Sequence, residues 1–381
     1  MNPERAAAIF LVCVAFCVYT VAGYPLLLGL LARWRERPVR KAPYDTTVSI
    51  ILPVYNGEPW IAAKLESILS LNYPSRLVEI LVADDGSTDG TRPIVERFAT
   101  RAALHLLSLD HRGKAVALNA AIAKATGEIL FLTDVRQALH PDSLANLVAC
   151  FSDPEVGVAS GELVIRSGAG LEEASVGLYW KYEKWIRKQL SRVDSVPGAT
   201  GCIYAIRRSL FRPLPSDTLV DDVALPLGAF FAGHRVILDE TALAFDYPTR
   251  LASEFRRKVR TLAGIYQVIG QYPALLGPRN RMWFHFVSHK LARLVMPWAM
   301  VAAAAVTLYL PGPWNLWAAG AQALGYGLAA LDFLLPEKWP AKRLTSPART
   351  FVVLMAASLC AVCIFLVPAR ALWGETRVGH S

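Results

Sequence analysis

Apolar residues along the chain form two different patterns. Long uncharged runs lie near both ends, and short apolar runs separated by mixed segments fill the middle. No residue from Ala6 to Ala32 is charged. This uncharged run is long enough for a tilted helix to cross the hydrocarbon core of a bilayer. Uncharged runs in the C-terminal part, divided at a Pro-Gly-Pro turn, predict further spans near 294–310, 314–335 and 350–368. The pattern therefore predicts about four transmembrane helices, one N-terminal and three C-terminal.

The N-terminal run has a second interpretation, a cleaved signal peptide. Its apolar stretch is longer than a typical signal-peptide core, and its start is hardly basic. No small-residue cleavage site precedes Arg33, so the pattern favours a retained anchor. The C-terminal runs could instead be buried core helices, but tryptophans near their ends favour membrane spans; these are Trp298, Trp314, Trp317 and Trp339.

Basic residues are concentrated beside the predicted spans, at 33–41, 279–293 and 338–349. If the spans alternate in direction, all three groups fall on one side, which the positive-inside rule assigns to the cytoplasm. Arg370 and Arg377 count against this orientation but are outnumbered. The net charge of +9 thus predicts contact with anionic membrane lipids rather than with nucleic acid. We expect an integral protein of a bacterial inner (plasma) membrane whose middle part is cytosolic.

The middle of the chain alternates between short apolar runs and segments of helical periodicity. This alternation is typical of an α/β fold with a mainly parallel sheet and helices on both faces. Strands are predicted near 48–54, 78–83, 103–108, 128–133 and 156–160, and helices near 59–70, 88–100, 114–125, 141–151 and 174–192.

Three of the predicted strands lead into polar or acidic residues. One ends in Asp84 and Asp85 before a Gly/Ser turn, another leads to Asn56, and a third leads to Asp134. Because open α/β sheets bind ligands at the carboxyl ends of their strands, we expect one ligand crevice that is served by all three strands.

Four motifs in this region resemble those of the family 2 glycosyltransferases with the GT-A fold. The resemblance covers roughly residues 45–270, and the motifs occur in the order and spacing of that family. They are Ser49-Ile-Ile-Leu-Pro-Val-Tyr-Asn-Gly-Glu58, Asp84-Asp-Gly-Ser-Thr-Asp89, Gly113-Lys-Ala-Val-Ala-Leu-Asn119, and Thr133-Asp134 with Pro141-Asp142. The one-plus-three arrangement of spans also resembles the membrane-bound branch that builds β-linked polysaccharides, including chitin-oligosaccharide and hyaluronan synthases.

The resemblance implies a Rossmann-like GT-A catalytic domain and an inverting, hexosyltransferase-type enzyme. Such an enzyme takes a sugar from a nucleotide-sugar donor, here expected to be a UDP-sugar. The expected acceptor is a lipid-linked or growing saccharide at the cytosolic membrane face. The chain would then consist of an anchor (1–41), a catalytic domain (42–250), amphipathic interface helices (251–293) and C-terminal transmembrane helices (294–381).

The resemblance also implies roles for individual residues on the donor side. Asp84 or Asp85 is expected to accept the uracil N3–H; the alternative for either is to cap a helix or hold the turn. Lys114 is expected to pair with phosphate or contact the base, unless it is a solvated helix residue. The other donor-binding residues implied by the motifs are Pro53, Tyr55, Glu58, Arg257 and Arg260.

Asp134 matches the first acid of the metal-binding Asp-x-Asp motif of the family, but the second acid is replaced by Arg136. Mg²⁺ often needs only one or two protein carboxylates, because phosphates and water complete its coordination. Asp134 alone could therefore hold Mg²⁺ or Mn²⁺. Alternatively, the guanidinium of Arg136 could contact the diphosphate and partly replace the cation.

A second acidic pair, Asp221 and Asp222, precedes a helical pattern. By resemblance Asp222 is the general base that deprotonates the acceptor hydroxyl, and Asp221 is a supporting acid; the alternative is capping of the helix. The glycine-rich segment that contains Gly201 and Cys202 is expected to border the acceptor site, with an ordinary turn as the alternative.

Processive relatives carry a Gln-x-x-Arg-Trp motif near residues 257–261. Arg260 matches its arginine, Arg257 replaces its glutamine, and Thr261 replaces the tryptophan that stacks on the acceptor sugar. The missing tryptophan weakens the case for a processive synthase. That alternative stays open, with a dimer or an export partner to complete a channel. A non-catalytic scaffold that binds nucleotide-sugar is the other alternative.

Overall fold

The computed structural model describes residues 1–101, 103–165, 171–246, 251–336 and 339–372. The chain divides into two compact units. The helical unit consists of Met1–Trp34, Ser167–Gln189 and Pro248–Ser381, and the sheet unit consists of Arg35–Arg166 and Leu190–Tyr247. This division differs from the predicted domain boundaries mainly in that it assigns residues 167–189 to the helical unit rather than to the catalytic domain. It also assigns residues 35–41 to the sheet unit rather than to the anchor.

The sheet unit contains one mixed sheet with the strand order β3-β2-β1-β4-β7-β6-β8-β5. The pairs β1–β2, β2–β3, β1–β4 and β6–β8 are parallel, and the other three are antiparallel. The predicted α/β class with a mainly parallel sheet is confirmed. The strands are β1 Val48–Val54, β2 Val78–Asp84, β3 Leu104–Ser108, β4 Ile129–Thr133, β5 Ala138–Leu139, β6 Val156–Ile165, β7 Ile203–Arg207 and β8 Arg235–Asp246.

The central strands are buried, and this explains why they were the easiest to predict. All residues of β4 and six of the seven in β1 are buried. A parallel strand that is covered on both faces needs a continuous apolar run rather than alternation. In contrast, β7 and β8 were not predicted: β7 has only four apolar residues before Arg207, and β8 is interrupted by acids. Short or interrupted runs give no clear periodicity.

The α-helices are α1 Pro3–Val18, α2 Tyr24–Trp34, α3 Glu58–Leu69, α4 Thr91–Ala99, α5 Lys114–Lys124, α6 Ser143–Ala149, α7 Leu171–Val193, α8 Asp221–Phe231, α9 Leu251–Gln271, α10 Trp283–Phe286, α11 Ala292–Thr307, α12 Trp314–Leu331 and α13 Lys342–Cys360. The five helices predicted in the middle of the chain correspond to α3 to α7. All five predicted starts lie within three residues of the observed ones, and α4 begins at Thr91 because Gly90 ends the preceding turn.

Three helices in the described part of the chain are long and apolar enough to cross a membrane: Pro3–Trp34, Trp283–Thr307 and Lys342–Phe365. The predicted count of about four is therefore corrected to three. The helix predicted as the third span exists as α12, but it carries Asn315, Gln322 and three glycines, which lower its mean hydropathy. The second candidate span also begins at Trp283, inside the segment predicted as interface helices.

Polar contacts within the helical unit link α7 to the candidate spans. Glu183 accepts a hydrogen bond from Arg293 Nη1 at 2.5 Å, and Tyr182 donates its hydroxyl to the carbonyl of Val21 at 2.9 Å. Trp185 lies so close to Gly29 that a Cβ there would meet its ring at 3.1 Å. These contacts explain why most of α7 belongs to the helical unit, which the sequence did not predict.

Candidate active site

The carboxyl ends of three strands meet at one edge of the sheet. The parallel pairing aligns Val54 of β1 with Asp84 of β2, and β4, which is parallel to β1, leads directly into Asp134. The three polar strand ends predicted to serve one crevice therefore share this edge.

Both adjacent aspartates make hydrogen bonds or ion pairs within the protein. The side chain of Asp84 is completely buried, accepts the backbone N–H of Ser87 at 3.0 Å and forms an ion pair with Arg92. Asp85 accepts the backbone N–H groups of Arg112 and Gly113, each at 2.9 Å. Asp85 thus holds the loop that leads into α5. An ionised carboxylate has about four acceptor positions, so reading of a nucleobase by either residue stays a prediction.

Gly86 is required by the close approach of that loop. Its φ is +79°, a conformation that favours glycine, and a Cβ at this position would lie 2.8 Å from the backbone nitrogen of His111. The turn after β2 and the loop before α5 are consequently packed backbone to backbone.

An aromatic pair lies beside Asp85. The rings of Tyr55 and His111 stack with their centroids 4.0 Å apart and their planes 22° apart. His111 Nδ1 lies 3.0 Å from the Asp85 carbonyl oxygen. Tyr55 was predicted as a donor-binding residue, but His111 was missed because stacking joins residues far apart in sequence.

The other two predicted residues of the first motif have structural contacts. Pro53 lies in β1, paired with Ala83. Glu58 accepts the backbone N–H of Gly90 at 2.9 Å, and its own N–H is bound by Asp89 at 3.0 Å. Glu58 thus ties the start of α3 to the turn after β2, and direct contact of either residue with a donor stays a prediction.

Lys114 brings together the predicted metal-binding and catalytic acids. Its Nζ lies 2.9 Å from Asp134 Oδ1 and 3.1 Å from Asp221 Oδ2. Although burial lowers the pKa of Lys114, the carboxylates of Asp134 and Asp221 outweigh this effect and raise the pKa above its usual value. Lys114 is therefore an ammonium ion held between two carboxylates, and not a solvated helix residue.

Asp222 follows Asp221 in the first turn of α8, and a glycine lies against its side chain. A Cβ at Gly201 would lie 3.0 Å from Asp222 Oδ2, and the Asp222 carbonyl accepts the N–H of Ala199 at 2.7 Å. The glycine-rich segment therefore touches the predicted base. Cys202 is buried, and burial raises the pKa of its thiol to about 12, so the thiol is neutral at ordinary pH.

Arg136 binds a carboxylate that the sequence did not single out. Its Nη2 lies 2.5 Å from Oδ2 of Asp246, the last residue of β8, and Gln137 Nε2 donates to the same oxygen at 2.8 Å. Among the residues that the structure describes, Arg136 makes no ion pair with Asp134.

A buried lysine supports the turn that carries Asp134. Lys64 is 1% exposed, and its Nζ donates to Thr133 Oγ1 and to the Gln137 carbonyl, each at 2.6 Å. Burial lowers the pKa of Lys64 to about 7, and the nearby carboxylate of Asp134 offsets this effect only in part. Sequence reasoning missed Lys64 because it lies on an otherwise ordinary helix.

Arg257 and Arg260 lie on α9 of the helical unit, whereas the other predicted site residues lie in the sheet unit. Within the described residues, no three His, Cys, Asp or Glu side chains form a metal-binding group. The carboxylates of Asp134 and Asp221 can supply one or two hard oxygen ligands. This donor set fits Mg²⁺ or Mn²⁺ only if substrate phosphates and water complete the coordination.

Comparison with known proteins identifies the domain. Residues 49–214 match the family described as Glycosyl transferase family 2. Poly-beta-1,6-N-acetyl-D-glucosamine synthase of Staphylococcus epidermidis is 24% identical over 229 residues, which are 58% of this chain and 55% of that protein. An N-acetylglucosaminyltransferase of Rhizobium meliloti is 26% identical over 314 residues, 75% of this chain and 73% of that protein.

The solved structure of mannosyltransferase PcManGT from Pyrobaculum calidifontis, in complex with GDP-Man and Mn²⁺, is also similar. It shares 28% identity and a TM-score of 0.74 with this chain, over 94% of this chain and 99% of that one. The predicted glycosyltransferase domain and GT-A fold are thus confirmed. The chain covers 55% of the length of the staphylococcal synthase and 64% of an N-acetylglucosaminyltransferase from Rhizobium sp..

Proposed function

We propose that this chain, which contains a glycosyl transferase family 2 domain, is a membrane-bound inverting glycosyltransferase. It moves a sugar from a nucleotide-sugar donor to a lipid-linked or growing saccharide. The observation that carries the proposal is the contact of Lys114 with both Asp134 and Asp221, next to Asp222, at the carboxyl edge of the sheet. Such a group of charges can hold a diphosphate on one side and accept a proton on the other.

The donor is expected to be a UDP-sugar, with a GDP-sugar as the second candidate. The names of two relatives, which are N-acetylglucosaminyl-transferring or -polymerising enzymes, support the choice of an N-acetylhexosamine donor. The solved relative, in contrast, carries GDP-Man. Tyr55 and His111 offer an aromatic surface for a base, and Asp85 offers an acceptor, neither of which distinguishes the two nucleotides by itself.

A divalent cation, Mg²⁺ or Mn²⁺, would be held by Asp134 together with the donor diphosphate, and it would neutralise the charge of the leaving group. The proposal is supported by the hard oxygen donors of the site and by the Mn²⁺ in the solved relative. Lys114 supplies a second positive charge to the same phosphate oxygens. It can do so when a donor phosphate replaces one of its two carboxylate partners.

In the reaction, Asp222 accepts the proton of the acceptor hydroxyl as that oxygen attacks the anomeric carbon. The bond between the anomeric carbon and the diphosphate oxygen breaks on the opposite face, and the electron pair leaves with the nucleotide diphosphate. One displacement inverts the anomeric configuration and needs no protein nucleophile. Lys114 stabilises the developing negative charge, and Asp221 keeps this ammonium in place.

The membrane placement of the reaction is part of the proposal. The three candidate spans, together with the basic residues at 33–41 and 279–293 on either side of the sheet unit, support an integral protein with its site at the cytosolic face of a bacterial inner membrane. With three alternating spans, the basic group at 338–349 falls on the opposite side and counts against this orientation. Single transfer is favoured over processive synthesis because Thr261 replaces the stacking tryptophan of processive relatives. Homo-oligomers or an export partner would be needed only for the processive alternative.

The test is donor turnover by the purified full chain in lipid. A panel of UDP- and GDP-sugars, with lipid-linked and oligosaccharide acceptors, is assayed with Mg²⁺, with Mn²⁺ and with chelator. Asp222→Asn should abolish transfer and retain donor binding. Asp45→Asn, at an exposed acid ahead of β1, is the control and should leave both transfer and donor binding unchanged. Donor binding without transfer by the wild-type chain, across all acceptors, would instead support the non-catalytic scaffold.

A further inference from the structure

The residue that replaces the second acid of the metal motif is bound to a carboxylate of another strand. Arg136 follows Asp134 by two positions, yet its guanidinium contacts Asp246 at the end of β8 at 2.5 Å. Asp246 is the only hydrogen-bond partner of Arg136 among the described residues, and Arg136 Nε is buried there without one. The position of this guanidinium therefore depends on a single carboxylate.

The sheet fixes that carboxylate next to the turn. β5 pairs with β8 in antiparallel fashion, with Ala138 opposite Phe245, so that Asp246 lies level with the residues just before β5. Gln137 donates to the same oxygen of Asp246. Both side chains of the ion pair are largely buried, since 20% of Arg136 and 6% of Asp246 are exposed. A buried pair of this kind is stabilised by charge, and removal of one partner leaves the other charge uncompensated.

We infer that Asp246 is a positioning residue for the phosphate end of the donor site. It neutralises Arg136 and keeps the guanidinium from pairing with Asp134. The carboxylate of Asp134 then remains available to Lys114 and to a divalent cation. Arg136 consequently does not replace the cation, although it occupies the place of a metal-binding acid in the sequence. This inference rests on the proposed function.

Loss of the Asp246 carboxylate should make nucleotide binding at the site depend less on a divalent metal ion. In Asp246→Asn, the guanidinium of Arg136 loses its carboxylate partner and is expected to turn to Asp134, two residues before it, or to a bound diphosphate. Arginine binds both groups well. Nucleotide affinity without metal should therefore rise, and the gain in affinity from Mn²⁺ should fall about tenfold or more, because the guanidinium repels a cation at short range.

The experiment measures the dissociation constants of UDP and GDP by calorimetry, for the full chain in lipid nanodiscs, with saturating Mn²⁺ and with chelator. For each nucleotide, the readout is the dissociation constant with chelator divided by the dissociation constant with Mn²⁺, which is the gain in affinity that Mn²⁺ provides. Asp246→Asn should lower the ratio, Arg136→Gln should leave it at the wild-type value, and the double variant Arg136→Gln/Asp246→Asn should restore it. Restoration by a second change separates positioning from simple loss of structure.

Asp239→Asn is the matched control, since Asp239 is another buried acid on β8 that pairs with Lys41 at 2.5 Å. It should leave the ratio unchanged. The inference is overturned if Arg136→Gln alone weakens nucleotide binding without metal, or if Asp246→Asn does not change the ratio. If the wild-type chain binds neither nucleotide under either condition, the proposed function itself fails and the inference fails with it.

Discussion

Replacement of the buried Lys64 by methionine should remove a pH-dependent cost from the folded state. The pKa of Lys64 falls from an ordinary 10.5 to about 7, chiefly because the ammonium is desolvated. Between these two values the unfolded chain binds a proton that the folded chain does not. The free energy of unfolding therefore rises with pH in this window, and the cost of burying Lys64 is fully present below pH 7.

The magnitude follows from the size of the pKa shift. Each unit corresponds to about 1.4 kcal/mol, so the lysine costs roughly 4 to 5 kcal/mol below pH 7 and about 2 kcal/mol less at pH 9 than at pH 7. Lys64→Met abolishes this pH dependence. It also leaves the Gln137 carbonyl without the ammonium donor, at a pH-independent cost of about 1 to 3 kcal/mol.

The assay is thermal unfolding of the full chain in detergent, wild type against Lys64→Met, from pH 7 to pH 9. The difference in Tm between the two proteins cancels groups that both share. It should change by about 2 to 5 °C across this range, in favour of the wild type at higher pH. Lys124→Met, at an exposed lysine of α5, is the control and should give a constant difference. If the difference between wild type and Lys64→Met is also constant with pH, burial does not lower the pKa of Lys64.

Three further predictions concern the site. Gly86→Ala should destabilise the chain by about 1 to 3 kcal/mol, measured as a lower Tm, because its φ of +79° and the nearby His111 backbone leave no room for a Cβ; an unchanged Tm would contradict the close loop packing. Gly201→Ala should lower the transfer rate about tenfold, with little change in nucleotide affinity, because the new methyl group displaces the Asp222 carboxylate. An equal loss of transfer rate and nucleotide affinity would contradict this cause. Lys114→Met should weaken nucleotide binding measured by calorimetry at least about tenfold, and binding that stays at the wild-type level would remove Lys114 from the phosphate site.

Several features of this protein could be predicted because they depend on local sequence. Buried parallel strands need continuous apolar runs, so the strands that end near Asn56, Asp84 and Asp134 were recognisable, and so was their common edge. Helices that cross a membrane need long uncharged runs, and the C-terminal ends of all three candidates were predicted to within about three residues. The starts at Trp283 and Lys342 were placed too late in the sequence, because basic residues precede the uncharged runs there.

Other features depend on contacts between residues far apart in the chain. The pairing of Arg136 with Asp246 joins positions 110 residues apart, and Lys64 meets Thr133 across 69 residues. Neither contact has a sequence signal, because the residue types are common and the spacing is set by the order of strands in the sheet. The extra helix α12 illustrates the reverse, since its apolar run predicted a span that its Asn, Gln and Gly content does not support.

The sequence by itself determined the family of the domain, the acids at the strand ends and the candidate membrane helices, because periodicity and motif spacing are properties of neighbouring residues. Only the tertiary structure decided which charges meet. It places Lys114 between Asp134 and Asp221, and it pairs Arg136 with Asp246. The energy of an ion pair depends on distance and burial rather than on sequence separation, and only the folded chain fixes both.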